Sequence, residues 1–216
     1  MKKNENTISN NNTKSKVLFD RIAWIYNLLD KPIRKTFNPA IRKLLAEITL
    51  DRKRVLDVGT GTGIWGDLIR KHGAIVSGID HSEKMLIKAR KRNQRNIDFT
   101  LADGLNLTHF LDNSFDIVTA SFVLHGMTAD KRERMLLEMK RVSKNVVIIF
   151  DHDLGVSSRM FFLEWLEKSD LSNFNENFFK EFSRLFINCK KIPVKKGSAL
   201  YIGYQNKPEV VDEEIE

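Results

Sequence analysis

The chain has one cysteine, Cys189, among its 216 residues. A single cysteine excludes an intramolecular disulfide framework, and no paired cysteine and histidine spacing of the zinc-binding kind is present. We therefore predict a protein of a reducing compartment, the cytoplasm, with no metal site.

Long apolar runs are missing as well. Nowhere do about 20 apolar residues follow one another, as a membrane-spanning helix requires. The amino terminus is polar and rich in asparagine, unlike a signal peptide. We predict a soluble protein without integral membrane association.

Positive charge is in excess, with 36 Lys and Arg against 28 Asp and Glu and a formal net charge of +8. The basic residues are spread over several predicted elements, near residues 84–95, 132–141 and 190–196. No basic groove interleaved with aromatic residues accompanies them, so solvated helix faces are favoured over nucleic acid. An acidic lipid surface is a third alternative.

An apolar run that breaks into three alternating glycines stands at residues 55–63, Val-Leu-Asp-Val-Gly-Thr-Gly-Thr-Gly. It predicts a buried strand, a tight turn and a helix over residues 64–72. Glycine reaches positive φ and has no Cβ, so a ligand can lie directly against such a turn. Because the strand and the helix supply the required context, a nucleotide-type site is favoured over an ordinary glycine-rich loop.

The spacing of this motif separates two kinds of ligand. Dinucleotide sites favour G-x-G-x-x-G, with a pyrophosphate at the helix N-terminus. Here the pattern is D-x-G-x-G-x-G, and a carboxylate at Asp57 would repel a pyrophosphate. It suits a cationic ligand, either by direct contact or by holding the turn through its backbone amides.

This stretch resembles the first motif of class I S-adenosylmethionine-dependent methyltransferases, whose ligand carries an ammonium and a sulfonium. The resemblance implies S-adenosylmethionine as the cofactor. It places Asp57, Gly59, Thr60, Gly61 and Gly63 in the binding site.

A second acid follows at the distance of a β-α-β unit. Residues 74–79 predict a strand that ends at Asp80, about 20 residues beyond the turn, where an acid accepts hydrogen bonds from ribose hydroxyls. The alternative is an acid that stabilises the following helix, whose start is indicated by His81 and by Ser82 as the cap. Met85, one turn further, packs either on the adenine or in the core.

A third strand is predicted over residues 97–101, followed by Ala102-Asp103-Gly104. At this place the family has an acid that binds the adenine amino group, and the resemblance assigns that role to Asp103. An exposed turn aspartate is the alternative, because Asp-Gly is a common turn dipeptide.

A fourth strand, residues 115–120, runs into Ser121-Phe122-Val123-Leu124-His125, which resembles the family's fourth motif. Its end is expected to face the transferred methyl group, with Ser121 near the cofactor. His125 could accept a proton from the acceptor, serve a structural role, or orient the substrate, and the catalytic group stays unassigned.

A helix over residues 127–142 and a fifth strand over residues 145–150 lead to Asp151-His152-Asp153. Carboxylates and imidazole can bind metal, but alternate side chains of a strand end diverge. We therefore predict substrate contacts, with Asp151 as the candidate, or simple loop polarity.

Two helices are predicted before the glycine motif. The first covers residues 16–30 with an apolar face, and the second covers residues 40–48 after the punctuating Pro32 and Pro39.

Residues 19–29 resemble the leading segment of quinone-biosynthesis methyltransferases, which covers cofactor and substrate. Phe19 and Tyr26 are therefore candidate substrate contacts, and Tyr26 also a cofactor contact. A packing role alone is the alternative.

Residues 156–185 are helical in pattern and rich in aromatic residues, most of which are expected in the core. The family inserts substrate-covering structure here, and Trp165 is the candidate substrate contact. A closing antiparallel hairpin is predicted from residues 187–194 and 199–204.

Together these elements predict an α/β, Rossmann-like, doubly wound seven-stranded sheet, mostly parallel with an antiparallel last strand, and an N-terminal helical lid. The predicted parts are a disordered tail (1–15), a methyltransferase domain (16–205) with lid (16–48) and helical insertion (156–185), and an acidic tail (206–216). The predicted function is methyl transfer from S-adenosylmethionine to a small molecule. An RNA methyltransferase and a non-catalytic cofactor-binding protein are the alternatives, and the oligomeric state is not predicted.

Overall fold

The structure, a computed structural model, describes residues 30–93, 96–153, 171–194 and 197–206. Within them the chain forms one sheet with helices packed on it. The helices are α1 (Asp30–Leu45), α2 (Ile64–Arg70), α3 (Glu83–Asn93), α4 (Ala129–Val142) and α5 (Leu171–Ser183). The strands are β1 (Arg54–Val58), β2 (Ile75–Asp80), β3 (Asp98–Leu101), β4 (Phe115–Ser121), β5 (Ser143–His152), β6 (Asn188–Pro193) and β7 (Ser198–Tyr204).

The seven strands lie in the order β3-β2-β1-β4-β5-β7-β6. Strands β1 to β5 pair in parallel, and β7 pairs antiparallel with both β5 and β6. The predicted fold class is confirmed, including the antiparallel last strand. The chain leaves β1 toward β2 on one side and returns to β4 on the other, which opens a crevice at the carboxyl ends of β1 and β4.

Helices cover both faces of the sheet, as buried parallel strands require. Successive residues of a strand point to opposite faces, so Val55 and Leu56 of β1 belong to two different apolar clusters. On one face, Trp65 of α2 packs with side chains of α1. On the other, Met135 of α4 packs with Phe178 of α5. The sheet is therefore the middle of three layers.

Helix α1 corrects the prediction for the region before β1. Pro32 and Pro39 do not separate two helices, because a single helix runs from Asp30 to Leu45 through both of them. Pro32 lies in the first turn, where an amide hydrogen has no intrahelical partner. An interior proline such as Pro39 costs about 3 kcal/mol. The burial of Ile41 and Leu44, worth about 1.5–3 kcal/mol each, offsets that cost.

Strand β5 is longer than predicted. It covers Ser143–His152, and its last two residues pair with Ala199 and Ser198 of β7. The predicted strand ends at residue 150, so Asp151 and His152 belong to the strand and not to a following loop. Helix α4 begins at Ala129 rather than at residue 127.

The carboxyl-terminal hairpin, β6 with β7, is confirmed. Of the helical insertion, the structure describes α5, whose Phe174, Phe178 and Phe182 are buried. Residues 1–29, 154–170 and 207–216 lie outside the described ranges. With them lie the predicted amino-terminal tail, residues 16–29 of the predicted lid and all but residue 206 of the predicted acidic tail. No helix within the described ranges is both long and apolar enough to cross a membrane.

Candidate functional site

The glycine turn between β1 and α2 has the backbone conformation that only glycine adopts readily. Gly59, Gly61 and Gly63 have φ of 69°, 54° and 75°. The amide of Thr60 donates to the carbonyl of Ile79 at 2.8 Å, which ties the turn to β2. The glycine spacing is thus a requirement of the turn itself.

The three glycines differ in what surrounds them. An added Cβ on Gly59 would lie 2.6 Å from Cγ2 of Val123, and one on Gly63 would lie 2.6 Å from Nδ2 of Asn93. A Cβ on Gly61 would have no heavy atom within 4 Å. Gly61 is therefore the glycine that faces open space, at the edge of the sheet where the crevice lies.

Asp57 is fully buried beneath this turn. Its Oδ2 accepts a hydrogen bond from the Thr60 hydroxyl at 2.6 Å, and its Oδ1 has no partner among the described residues. Burial raises the pKa of Asp57 to about 7, because desolvation outweighs the hydrogen bond from Thr60.

This environment favours the second of the two roles predicted for Asp57, which is to hold the turn. The carboxyl group is fully buried and accepts the Thr60 hydroxyl hydrogen, and a backbone hydrogen bond from Gly66 of α2 also acts to lower its pKa. With a pKa of about 7 it is only partly ionised near neutral pH, so its charge is a weak argument against a pyrophosphate.

Asp80, at the end of β2, connects the turn to α3. Its Oδ2 accepts the amide hydrogen of Gly61 at 2.8 Å, and its Oδ1 accepts that of Ser82 at 2.8 Å. Burial raises the pKa of this carboxyl group, against the opposing hydrogen bond from Ser82 and the charge of His81. Each carboxylate oxygen has two lone pairs, so a role at the helix start and a role in binding ribose hydroxyls are compatible.

The residues after Asp80 follow the helix-start prediction. The amide of Met85 donates to the carbonyl of Ser82 at 3.1 Å and lies 3.4 Å from its hydroxyl oxygen. His81 is exposed, with its Nδ1 3.6 Å from Oδ1 of Asp80. Met85 is only 4% exposed, which favours the core role for its side chain.

The segment after β3 lies beside the first two strands. The amide of Ala102 donates to the carbonyl of Asp80 at 3.0 Å. A Cβ on Gly104 would lie 2.8 Å from Cγ1 of Val58. Asp103 is exposed and accepts the amide hydrogen of Leu105 at 2.9 Å, which is the turn arrangement of the alternative reading.

Arg92 of α3 is a contact that sequence reasoning missed. Its Nη1 donates to the carbonyl oxygen of Thr62 at 3.0 Å and to the hydroxyl oxygen at 2.8 Å. The sequence placed Arg92 on a solvated helix face, and the structure shows the residue half-buried with this contact. Because 30 positions separate the two residues, no local signal could have indicated the contact.

Asp151, at the end of β5, collects hydrogen-bond donors from the turn after β4. Its Oδ2 accepts the amide hydrogens of Val123, Leu124 and His125 at 3.2, 3.0 and 3.4 Å. Its Oδ1 lies 2.7 Å from Nδ1 of His125 and accepts the amide hydrogen of His152 at 2.8 Å. Burial alone would raise the pKa of Asp151, but the charge and hydrogen bond of His125 lower it below its usual value.

His152 packs edge to face on His125, with ring centroids 4.5 Å apart. Burial and the charge of His125 lower the pKa of His152 to about 4. Its imidazole is therefore neutral at pH 7.

His125, Asp151 and His152 bring potential metal-ligating atoms within 4.8 Å of one another. The expected divergence of the Asp151, His152 and Asp153 side chains is thus wrong for the first two, while Asp153 forms an ion pair with Lys191 at 2.6 Å. Both oxygens of Asp151 are already surrounded by N–H donors. This favours a hydrogen-bonded network over a metal centre.

An aromatic wall, which we define as Phe37, Phe122 and Phe150, borders this network. Phe122 stacks on Phe37 with centroids 5.8 Å apart and packs on Phe150 at 4.9 Å. Phe122 has a φ of 52°, a strained conformation that in a residue other than glycine is typical of functional sites. The ring of Phe122 is 5.1 Å from that of His152. The sequence did not indicate this strain.

Ser121, the last residue of β4, is half-buried and pairs with Phe150. The remaining predicted contacts, Phe19, Tyr26 and Trp165, lie outside the described residues. The structure therefore brings together the glycine turn, Asp80, the residues after β3 and the His125 turn at one edge of the sheet. This is a nucleotide-type site at the switch point of a Rossmann-like fold.

Comparison with known proteins agrees with that class. Residues 55–145 match the family described as "Methyltransferase domain". The chain is 37% identical over 131 residues to a demethylmenaquinone methyltransferase of Thermotoga maritima, covering 59% of this chain and 56% of the relative. It is 34% identical over 158 residues to a demethylmenaquinone methyltransferase of Renibacterium salmoninarum, covering 70% and 65%. It therefore spans a little over half to about two thirds of these relatives.

A solved structure of a SAM-dependent methyltransferase from Aquifex aeolicus shares the fold, with a TM-score of 0.65 and 22% identity. The superposition covers 85% of this chain and 98% of that one. The resemblance to class I S-adenosylmethionine-dependent methyltransferases is thus confirmed, and residues 55–145 carry the sequence of a methyltransferase domain.

Proposed function

We propose that this protein is an S-adenosylmethionine-dependent methyltransferase acting on a small molecule. The observation that carries the proposal is the pairing of Gly61 with Asp80. The glycine faces open space, its amide is held by the acid at 2.8 Å, and both lie beside the crevice of the sheet. A cofactor with a ribose and a cationic end fits that combination of a Cβ-free surface and a carboxylate.

In the proposed complex, Asp80 accepts hydrogen bonds from the ribose hydroxyls, and the turn from Gly59 to Gly63 borders the amino-acid end of the cofactor. The sequence-based adenine contacts and neighbours form the other wall: His81, Met85, Ala102, Asp103 and Gly104. Ser121 and Tyr26 complete the predicted set. The cofactor supplies an activated methyl group as a sulfonium, so the task of the chain is to orient the acceptor and exclude water.

For the acceptor we propose an aromatic, quinone-type small molecule. Two relatives that are 37% and 34% identical over the aligned residues are named for demethylmenaquinone, and one that is 34% identical over 105 residues is named for ubiquinone biosynthesis. Phe122 is half-buried and is backed by the buried rings of Phe37 and Phe150, so its ring is the part of the aromatic wall that offers a flat acceptor an apolar surface near His125. Phe19 and Trp165 stay predicted substrate neighbours, whereas the carboxyl group of Asp151 is fully buried and bonded to His125.

RNA methylation and cofactor binding without catalysis are the alternatives. The residues after β4, Ser121-Phe122-Val123-Leu124, do not resemble the N-P-P-Y tetrad of many nucleic-acid methyltransferases. The cytoplasmic location and the absence of a nucleic-acid partner stay predictions from composition.

Radiolabelled S-adenosylmethionine distinguishes these functions when it is incubated with the protein and, separately, with reduced demethylmenaquinone, a metabolite fraction and an RNA fraction. We expect transfer to the quinol or to the metabolite fraction. Transfer to RNA alone would contradict the small-molecule proposal. Calorimetric binding without transfer to any fraction would favour a non-catalytic role.

Asp80→Ala tests the cofactor site. Loss of a charge-assisted acceptor costs about 1.5–3 kcal/mol, so we expect S-adenosylmethionine affinity to fall about 10- to 150-fold by calorimetry. Asp98→Ala, an exposed acid at the start of β3, is the matched control with unchanged affinity. Since Asp80 also accepts the amides of Gly61 and Ser82, circular dichroism checks the fold. A folded Asp80→Ala variant with wild-type affinity would contradict the ribose assignment.

A further inference from the structure

We infer that Nε2 of His125 is the general base that takes the acceptor's proton, and that Asp151 is the residue that positions it. The inference rests on the proposed methyltransferase function and adds the proton path to it. It starts from the contacts of the His125 turn.

The hydrogen bond between His125 and Asp151 determines which ring nitrogen of His125 carries the proton. Nδ1 of His125 lies 2.7 Å from Oδ1 of Asp151. An ionised carboxylate only accepts hydrogen bonds, so Nδ1 must carry the proton. In a neutral imidazole the lone pair then lies on Nε2, which is the form that a general base requires.

Asp151 stays ionised although it is fully buried. Three backbone amides and the His125 ring donate to it. Against burial, the charge and hydrogen bond of His125, with the charge and amide of His152, hold its pKa below the usual value. The same three amides belong to the turn that carries His125. One carboxylate therefore fixes both the backbone of the turn and the orientation of the ring.

His125 lies close to the turn that would hold the cofactor. His125 lies in the turn Leu124–Gly126, directly after β4, and Val123 of the same segment contacts Gly59 of the glycine turn. The segment with the base thus borders the turn that would hold the cofactor. Phe122, next to it, belongs to the aromatic wall and lies 6.4 Å from the His125 ring, centroid to centroid.

Charged and titratable groups surround His125 on several elements. On β5 the titratable neighbours are Asp151, an anion, and His152, which is neutral at pH 7 because its pKa is about 4. On α4, Arg132 lies over Phe174, which contacts the His125 ring and stacks on Phe178, and Arg132 is itself paired with Glu181 of α5. On β7, Tyr201 donates to the carbonyl of His152. Asp151 is the anion in hydrogen-bond contact with the His125 ring, so it is the group that stabilises the imidazolium formed in the reaction.

The acceptor's hydroxyl proton moves to Nε2 of His125, and a ring carbon of the resulting quinol anion bonds to the methyl carbon. The S–CH3 bond breaks with its electron pair on sulfur, which becomes a neutral thioether. The methylated ring carbon then loses its hydrogen to solvent as a proton, while the imidazolium of His125 returns its proton to the oxygen. This restores the aromatic quinol and releases one proton overall.

The first test needs no acceptor. In the full-length protein labelled with 15N-histidine, NMR at pH 7.5 reports which nitrogen of His125 carries the proton, with His125→Asn for assignment and the exposed His109→Asn as control. We expect protonated Nδ1 and unprotonated Nε2. We also expect Asp151→Asn to lower the pKa of His125, because it removes the anion that favours the charged ring. An Nε2-protonated tautomer would overturn the inference.

The second test is kinetic, with reduced demethylmenaquinone as the probe. General-base catalysis is worth about 10²- to 10⁴-fold, so we expect His125→Asn to lower kcat by that range, with S-adenosylmethionine affinity unchanged. Asp151→Asn should lower kcat and move the acidic limb of the pH profile to lower pH, which a merely structural role would not do. Wild-type kcat in His125→Asn, or turnover abolished by EDTA and restored by Mg²⁺, would overturn the inference. If the wild-type protein does not bind S-adenosylmethionine at all, that result would instead contradict the proposed function.

Discussion

Gly61 and Gly63 share a positive φ but differ in what a side chain would meet. Gly61→Ala puts a methyl group into open space, so we expect a loss of about 1–2 kcal/mol in unfolding free energy from the backbone alone. Gly63→Ala adds a 2.6 Å approach to Asn93, and overpacking costs about 1–3 kcal/mol more.

Gly61→Ala should lose more cofactor affinity than Gly63→Ala, although it loses less unfolding free energy. We expect Gly61→Ala to bind S-adenosylmethionine at least tenfold more weakly, because its methyl group occupies the surface that the proposed ligand uses. Urea denaturation and calorimetric titration measure both quantities on the same samples. A Gly61→Ala variant with wild-type affinity would show that the cofactor does not lie against this residue.

At the scale of the element, α1 determines how much of the amino terminus can be removed. Its Phe37, Ile41 and Leu44 are buried, and Phe37 packs edge to face on Trp65 and Phe150. Arg34 additionally donates to Asp67 of α2. Helix α1 is therefore part of the core, whatever the preceding residues do.

Two truncations distinguish the part of the amino terminus that belongs to the core from the part predicted to cover the site. We expect deletion of residues 1–29 to leave a cooperatively folded protein that binds S-adenosylmethionine but turns over its acceptor far more slowly, because an uncovered site admits water. Deletion of residues 1–45 should prevent folding, since it exposes the apolar surface under α1. Thermal unfolding and labelled-methyl transfer are the measurements. Full activity after the shorter deletion would remove the lid hypothesis.

For the whole molecule, ligand binding should appear as stability. S-adenosylmethionine at 100 times its dissociation constant adds about 2.7 kcal/mol, or roughly 5–10 °C in Tm for a domain of this size. NAD and NADP at the same concentration should add nothing, because the amide of Gly61 already donates to Asp80 and that carboxylate stands where a pyrophosphate would need donors. A Tm raised by NAD would move the protein to another class of site.

Sequence patterns were enough to predict the topology and the glycine turn, because both follow from local rules. Apolar runs of strand length alternate with helical patterns, and D-x-G-x-G-x-G admits few backbone conformations. Asp80 could be predicted for the same reason, as its distance from Gly61 is set by one β-α-β unit. The position of Pro39 inside a helix could not be predicted, because burial of the apolar face of α1 outweighs the low helix propensity of proline.

The rest of the site depends on contacts between elements that are far apart in the chain. The reach of Arg92 to Thr62, the burial that raises the pKa of Asp57 and the convergence of Asp151 with His125 all join residues from different elements. Desolvation and hydrogen-bond partners depend on what packs around a group in three dimensions. A sequence shows the type of each residue, but not the neighbours that determine its charge.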